Sequence, residues 1–178
     1  MSASVYEIDP AHSSAHFSVR HMMISNVKGE FTKLSGTVTF DREKPADSKV
    51  EAVIDVNSLH TRDEQRDGHL KSADFLDAPT FPEIRFVSTA VEPNGDDEFR
   101  VKGDLTIHGV TKEVTLRVEG PTPDAKDPWG NTKAGATATT KINRKDFGLV
   151  WNVALEAGGV LVGEDVSISL ELELTKKA

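Results

Sequence analysis

The sequence predicts an all-β fold in which antiparallel strands form a closed barrel or a sandwich, with one short helical insert. Apolar and polar side chains alternate along most of the 178 residues, as they do in strands with one face in water. Clusters of Gly, Asn, Asp and Pro separate the alternating segments. Because many strands with one wet face share an apolar side, the sheet is expected to curl around an interior.

The strands follow from this alternation. In the clearest one, from Phe99 to Ile107, apolar residues and Gly103 alternate with charged and polar ones. A second strand contains Val114 to Val118, and the join at His108-Gly109 predicts a hairpin turn. The remaining segments with strand character are Ser14 to Ile24, Lys28 to Phe40, Lys49 to Asn57, Glu83 to Val91, Thr132 to Ile142 and Val166 to Leu174, which gives about eight strands.

One segment breaks the alternation and predicts a helix over residues 62–74. Thr61 and Glu64 have the spacing of a helix-capping box. Leu70, Phe75 and their neighbours supply a short apolar face. We expect the helix to be broken or bent near Gly68, because glycine is a weak helix former.

Length and charge limit the classes of function. We expect a single domain, residues 1–178, large enough to fold without disulfides or a structural metal. Lys and Arg number 21 and Asp and Glu 29, a net charge of −8, so nucleic acid is not an expected partner. The first ten residues lack the pattern of a signal peptide. The chain as given is expected to be cytoplasmic, or periplasmic or secreted if a leader has been removed.

The sequence contains no nucleophile-elbow, Walker-loop or dinucleotide-binding motif of an enzyme. Because it contains no cysteine, catalysis through a thiol is excluded. His12 and His16 are four residues apart, but in a strand they would lie about 13 Å apart, too far for one ion. We therefore expect no catalytic residue, no metal and no cofactor. A metal-assisted enzyme built on histidines brought together across strands is the alternative.

Two segments offer candidate interior residues. His21 is in phase with Phe17, Val19 and Met23 and is expected to point inward. It is either a core histidine satisfied by a neighbour or a contact for a polar group at a cavity mouth. On the segment from Thr132 to Ile142, one phase carries small residues, and this leaves both tight packing and a ligand cavity open. The members of that phase are Ala134, Ala136, Ala138, Thr140 and Ile142.

A basic residue follows the alanine-rich strand. Arg144 in Asn143-Arg144-Lys145-Asp146 is a candidate contact for an anionic group. The alternative is a surface salt bridge with Asp146, and the sequence favours neither.

An ordered set of short motifs from Tyr6 to about Leu174 resembles the YceI-like family, the lipocalin-like polyisoprenoid-binding proteins. No single motif is specific, but the order is. Leu76 departs conservatively, since many relatives have a second Phe there. The matching segments are Asp9 to Ser13, Phe17 to His21, Gly29 to Phe31, Arg66 to Phe75, Phe81-Pro82, Gly103 to Thr111, Asn143-Arg144 and Phe147-Gly148.

The resemblance implies an extended antiparallel eight-stranded lipocalin-like barrel, with a helix near one end, that takes up a long isoprenoid or similar amphiphile without catalysing a reaction. It also implies a homodimer. The glycines of the motifs, Gly29, Gly36, Gly103 and Gly109, are expected to be architectural, at bends and turns of strands.

The leading hypothesis is a protein that binds and carries or stores an apolar-tailed lipid, such as a polyisoprenoid or an isoprenoid quinone. His21 or Arg144 is expected near the polar head, and the chain is not expected to be an integral membrane protein. The alternatives are the metal-assisted enzyme and a stress or assembly protein whose barrel is filled by side chains. The residues expected to line the cavity are Phe17, Val19, Met23, Phe86, Ala136 and Ala138.

Overall fold

A computed structural model describes residues 3–156 and 158–177. Its regular elements are mostly strands, with one short α-helix and three single turns of 3₁₀ helix. The elements are β1 (Ser4–Ile8), β2 (Ser14–His21), β3 (Ser25–Phe31), β4 (Leu34–Phe40), β5 (Lys49–Asp55), β6 (Leu59–His60), α1 (Glu64–Lys71), β7 (Glu83–Pro93), β8 (Glu98–Ile107), β9 (Val110–Glu119), β10 (Ala125–Lys126), β11 (Thr132–Asn143) and β12 (Val162–Lys176).

Eight antiparallel strands close into a barrel, in the order β11, β9, β8, β7, β5, β4, β1 and β12, with β12 pairing back to β11. The long strand β12 binds β1 near its C-terminal end and β2 along its N-terminal part. Strands β2, β3 and β6 therefore extend the sheet beyond the ring on the side where α1 lies. The prediction of an eight-stranded antiparallel barrel with one helical insert is confirmed.

The segment predicted as one strand from Lys28 to Phe40 is two strands, β3 and β4. Phe31 and Leu34 are both buried although they are three residues apart, so the strict alternation of a strand must break between them. The backbone at the break is held by the neighbouring turn: the amide of Thr32 donates to the carbonyl of Ser58, and the amide of Asp55 donates to the carbonyl of Lys33. The short strands β1, β6 and β10 were not predicted.

The helix occupies the middle of the predicted range and passes through Gly68 without a break. Its N-cap is Asp63 and not Thr61. The carboxylate of Asp63 accepts a hydrogen bond from the amide of Arg66 (3.0 Å). Thr61 is buried and binds the carboxylate of Asp67 through both its amide and its hydroxyl. The end of the barrel that carries the helix is called the helix end below.

The interior of the barrel receives one side of each strand. Along β8, for example, alternate residues from Phe99 to Ile107 are buried. The hairpin between β8 and β9 turns at His108-Gly109, as predicted, with both residues at positive φ. Among the described residues, no helix is long and apolar enough to cross a membrane.

Candidate functional site

The barrel encloses a cavity of about 720 Å³. Its walls are almost entirely apolar and come from every strand of the ring. The cavity extends from the helix end, where His21 and Trp151 border it, to the far end, where Phe40 and Phe99 border it. A volume of this size is typical of sites for small organic molecules.

The far end of the cavity is closed by aromatic side chains. Phe40 and Phe99 pack edge to face with their ring centroids 5.5 Å apart. The guanidinium of Arg42 lies over the Phe40 ring at 5.3 Å from its centroid. Both phenylalanines are buried, as are three further lining residues near this end, Ser48, Val91 and Pro121.

The helix end is open. Of the described residues that line the cavity, three are solvent-exposed, Arg20, Asp63 and Gln65, and all three lie at this end. Arg20 is the penultimate residue of β2, and Asp63 and Gln65 lie at the start of α1. A ligand therefore has access to the cavity from the helix end.

The alanine phase of β11 faces the cavity. Ala136 and Ala138 line it and pair across the sheet with Leu172 and Leu170, which line it as well. Ala138 is buried and Ala136 half-buried. The sequence left open whether this phase is covered by larger neighbours or borders a cavity, and the structure has the cavity. The barrel is not filled by its own side chains.

Phe17 and Phe86 line the cavity, and each ring packs against a glycine. Gly29 is the cross-strand partner of Phe17, and a Cβ at Gly29 would come closer than 3.0 Å to the Phe17 ring. Gly103 receives the ring of Phe86 in the same way. These two glycines are therefore architectural: they let an aromatic ring lie flat against the barrel wall. Val19 also lines the cavity.

His21 and Met23 were predicted to share one inward phase, but the structure separates them. His21 is the last residue of β2, half-buried, and lines the cavity at the helix end. Met23 is 53% exposed and lies outside the cavity. The reason is that β2 ends at His21 and the chain turns, with φ of 52° at Met22 and 64° at Met23.

Arg144 is 3% exposed and borders the cavity, but its guanidinium is bound to backbone carbonyls. Nε donates to Gly163 (2.7 Å), Nη1 to Leu149 (2.6 Å) and Trp151 (2.9 Å), and Nη2 to Val162 (3.2 Å). Of five N–H donors, one is left for a ligand. Burial lowers the pKa of Arg144. A surface pair with Asp146 is not formed.

Three aromatic rings that the sequence reasoning did not select join the helix to the opposite loop at the helix end. The His69 ring packs edge-on against Phe75 and against Trp151, with centroids 5.0 and 4.7 Å apart. His69 also pairs with Asp74 (3.0 Å). All three rings line the cavity. The available signal was the apolar stretch around Trp151, which carries no charge from Leu149 to Leu155.

One group of described side chains has the spacing of metal ligands: Asp9, His12 and Glu173. It contains a single histidine and lies away from the cavity lining. The ammonium of Lys133 already binds both carboxylates, at 2.9 Å from Asp9 and 3.4 Å from Glu173. Hydrogen bonds from His12 and Lys133 lower the pKa of Asp9. The hydrogen bond between His12 and Asp9 raises the pKa of His12. This arrangement is a network of ion pairs.

Comparison with known proteins agrees with this architecture. The YceI-like domain model matches residues 6–174. A UPF0312 protein of Vibrio parahaemolyticus is 43% identical over 147 residues, which cover 82% of this chain and 77% of the relative. A UPF0312 protein of Shewanella denitrificans is 41% identical over 151 residues, 84% of this chain and 78% of the relative.

Solved structures share the fold. BcnA of Burkholderia cenocepacia superposes with a TM-score of 0.77 at 28% identity, over 93% of this chain and 98% of BcnA. A polyisoprenoid-binding domain of Saccharophagus degradans, implicated in plant cell wall breakdown, has a TM-score of 0.70 at 16% identity, over 97% of this chain and 98% of that domain. The closed eight-stranded barrel, its apolar interior and the match over nearly the whole length establish that the chain belongs to the YceI-like domain family.

Proposed function

We propose that the protein binds a long apolar-tailed lipid inside the barrel and carries or stores it without catalysing a reaction. The observation that carries this proposal is the apolar cavity of about 720 Å³ that reaches solvent at the helix end. Membership of the YceI-like family supports it. So does the fold shared with the polyisoprenoid-binding domain of Saccharophagus degradans.

The lipid enters with its tail first. The far end, closed by Phe40 and Phe99, offers an almost entirely apolar surface to the end of a tail. The hydroxyl of Ser48 at this end already accepts a hydrogen bond from the amide of Asp41 (3.1 Å). The helix end carries the polar side chains that orient a head group. Burial of the tail supplies most of the affinity, at roughly 25 cal/mol per Å² of apolar surface, so binding depends weakly on salt.

The head group that fits the helix end is anionic or accepts hydrogen bonds. Arg20, Arg66 and Arg144 border the cavity there, against one carboxylate, Asp63. Arg66 donates from Nε and Nη2 to Thr61, at 2.9 and 2.6 Å, which fixes its guanidinium at the opening. His21 lies at the same end, and its ring nitrogens add a hydrogen-bond donor or acceptor.

The cavity volume limits how much of a tail can be buried. We expect affinity to rise with chain length until the cavity of about 720 Å³ is filled and then to level off, because the excess would extend into water.

Extraction of the purified protein with organic solvent, followed by mass spectrometry, tests the proposal. We expect a lipid with a long apolar tail to be recovered, and the delipidated protein to take up an added isoprenoid alcohol at one molecule per chain. Absence of both a retained lipid and uptake of the added isoprenoid would overturn the proposal. A stoichiometric metal ion in protein made without an affinity tag, together with a metal-dependent reaction, would favour the enzyme alternative.

A further inference from the structure

We propose that the helix end of the barrel docks on the surface of a lipid bilayer through two uncharged loops that flank the cavity opening. This inference rests on the proposed function, because a bilayer is the reservoir of the lipid that the barrel would bind. The loops are the β2–β3 turn and the segment that follows Leu149. Their exposed apolar side chains, called the portal surface here, are Met22, Met23, Ile24, Val150 and Val153.

The portal surface stands out because it is exposed and free of charge. Ile24 is 74% exposed and Val150 62%. Neither the stretch from Met22 to Ser25 nor the one from Leu149 to Leu155 contains a charged residue, in a chain of which 28% is charged. Exposed apolar residues that are scattered singly need no explanation, but a contiguous group marks an interaction site.

The two loops are held together as one surface. The amide of Met22 donates to the carbonyl of Leu161 (2.8 Å), and the amide of Leu161 donates to the carbonyl of Val153 (2.9 Å). The side chain of Met23 packs on Gly159, where an added Cβ would come within 3.0 Å of its Cγ. The β2–β3 turn is therefore fixed against the segment that borders the opening.

The backbone of the turn is costly for the residues that occupy it. Met22 and Met23 both have positive φ, 52° and 64°, and the amide of Ile24 donates to the carbonyl of His21 (3.1 Å). Asn and Gly are the residues that adopt two consecutive positive φ values at low cost. Methionine in both positions costs stability, which points to a role for the exposed side chains.

The portal surface fits a bilayer better than a second copy of the chain. The area of five exposed side chains is on the order of a few hundred Å², whereas a stable dimer buries about 800 Å² on each partner. A partner chain seated here would also cover Arg20, Asp63 and Gln65, the exposed residues at the cavity opening. A bilayer seated here faces the same opening and delivers the ligand.

The charge of the chain determines the kind of bilayer. A net charge of −8 repels anionic lipids, and the five side chains of the portal surface are uncharged. Exposed Arg20, whose Nη2 donates to the carbonyl of Met23 (3.1 Å), adds a positive charge beside them. Docking therefore depends on insertion of apolar side chains at the interface, as in monotopic proteins. We expect binding to zwitterionic vesicles, with little dependence on salt.

Flotation of the delipidated, full-length protein with phosphatidylcholine vesicles tests the inference. We expect the wild-type chain to float with the vesicles. The double variant Met23→Ser/Ile24→Ser is expected to bind at least about tenfold more weakly. The matched control is Val5→Ser/Val87→Ser, which removes two exposed apolar residues, 36% and 46% exposed, from the wall of the barrel. The control is expected to float like the wild type.

Uptake of geranylgeraniol from detergent micelles separates this inference from the proposed function. We expect the Met23→Ser/Ile24→Ser variant to take up the probe from micelles normally, since neither residue lines the cavity. Docking would be overturned if the wild type did not float, if both double variants lost flotation equally, or if salt released the protein from the vesicles. None of these results would affect the proposal of lipid uptake. The portal surface would belong to a second copy of the chain if the wild type were a dimer that does not bind vesicles and Met23→Ser/Ile24→Ser made it a monomer. That result would also overturn docking on a bilayer.

Discussion

Phe17 lies directly across the sheet from Gly29, and its ring fills the space that a side chain at Gly29 would need. The added Cβ of Gly29→Ala would approach both the Phe17 ring and the methyl group of Thr61 closer than 3.0 Å. The ring would have to turn into the cavity. We expect a loss of about 1–3 kcal/mol in the free energy of unfolding, measured in urea, together with weaker binding of an isoprenoid probe.

Gly68→Ala is the matched control for this prediction. Nothing lies within 4 Å of a Cβ at Gly68, which is in the middle of α1. Alanine there is expected to stabilise the protein by about 0.5–1 kcal/mol, since glycine is the weaker helix former. If Gly29→Ala proved as benign as Gly68→Ala, the close contact with Phe17 would not constrain the barrel.

Ala136→Leu distinguishes an open barrel from a packed one. Ala136 borders the cavity, so the larger side chain has room and should change the free energy of unfolding by less than about 1.5 kcal/mol. It should displace tail volume and lower the capacity for ligand. Thr137→Leu, at the adjacent exposed position, should leave ligand binding unchanged. Strong destabilisation by Ala136→Leu with unaltered binding would speak for a filled interior.

Arg144 is expected to act through the loop that it holds. Arg144→Lys keeps the charge but cannot satisfy the carbonyls of Leu149, Trp151 and Gly163 together. The carbonyl of Val162 keeps the side-chain amide of Asn152 as a donor (2.7 Å). Buried carbonyls left without a donor cost about 1–3 kcal/mol each, so we expect a loss of roughly 3 kcal/mol or more in thermal or urea unfolding. A lysine variant as stable as the wild type would mean that water replaces the guanidinium.

Tyr6 gives a prediction on pH. Burial and the hydrogen bond of its hydroxyl to Asp124 (2.8 Å) raise the pKa of Tyr6 to about 12. The folded state therefore holds the proton more tightly than the unfolded state, whose tyrosine titrates near 10. The stabilisation is fully present below about pH 10 and is lost as the pH rises toward about 12, by roughly 2–3 kcal/mol at 1.36 kcal/mol per pH unit.

Tyr6 is the only tyrosine of the chain, so its phenolate absorbance reports this titration directly. Tyr6→Phe should show a smaller loss of stability over the same pH range, because phenylalanine has no proton to lose. A phenolate that forms near pH 10 in the folded protein would contradict the raised pKa.

The barrel was predictable because alternation is a local signal. Apolar and polar residues alternate in the same way from Phe99 to Ile107 as from Val166 to Leu174 in β12, although the neighbouring strands differ. The inward placement of Phe17, Val19 and Ala136 followed from that phase. The break between Phe31 and Leu34 needed more than alternation, since it depends on the turn at Asp55 to Ser58 that binds its backbone.

The details of the site depend on contacts distant in sequence. Arg144 is bound by carbonyls of the loop that follows it and of the first residues of β12, up to 19 residues away. Trp151 contacts His69 and Phe75, which are far from it in the sequence. Met23 continued the alternation of β2 in the sequence, and only the positive φ values show that the strand has already ended. Periodicity does not encode such features.

Titration of Trp151 fluorescence shows directly whether a lipid enters the barrel. Trp151 lines the cavity, whereas Trp129 is 83% exposed and can be removed by Trp129→Phe to leave a single reporter. Adding geranylgeraniol to the delipidated variant should shift the emission to shorter wavelength and saturate at one ligand per chain. An emission spectrum that does not change at any ligand concentration would contradict the account.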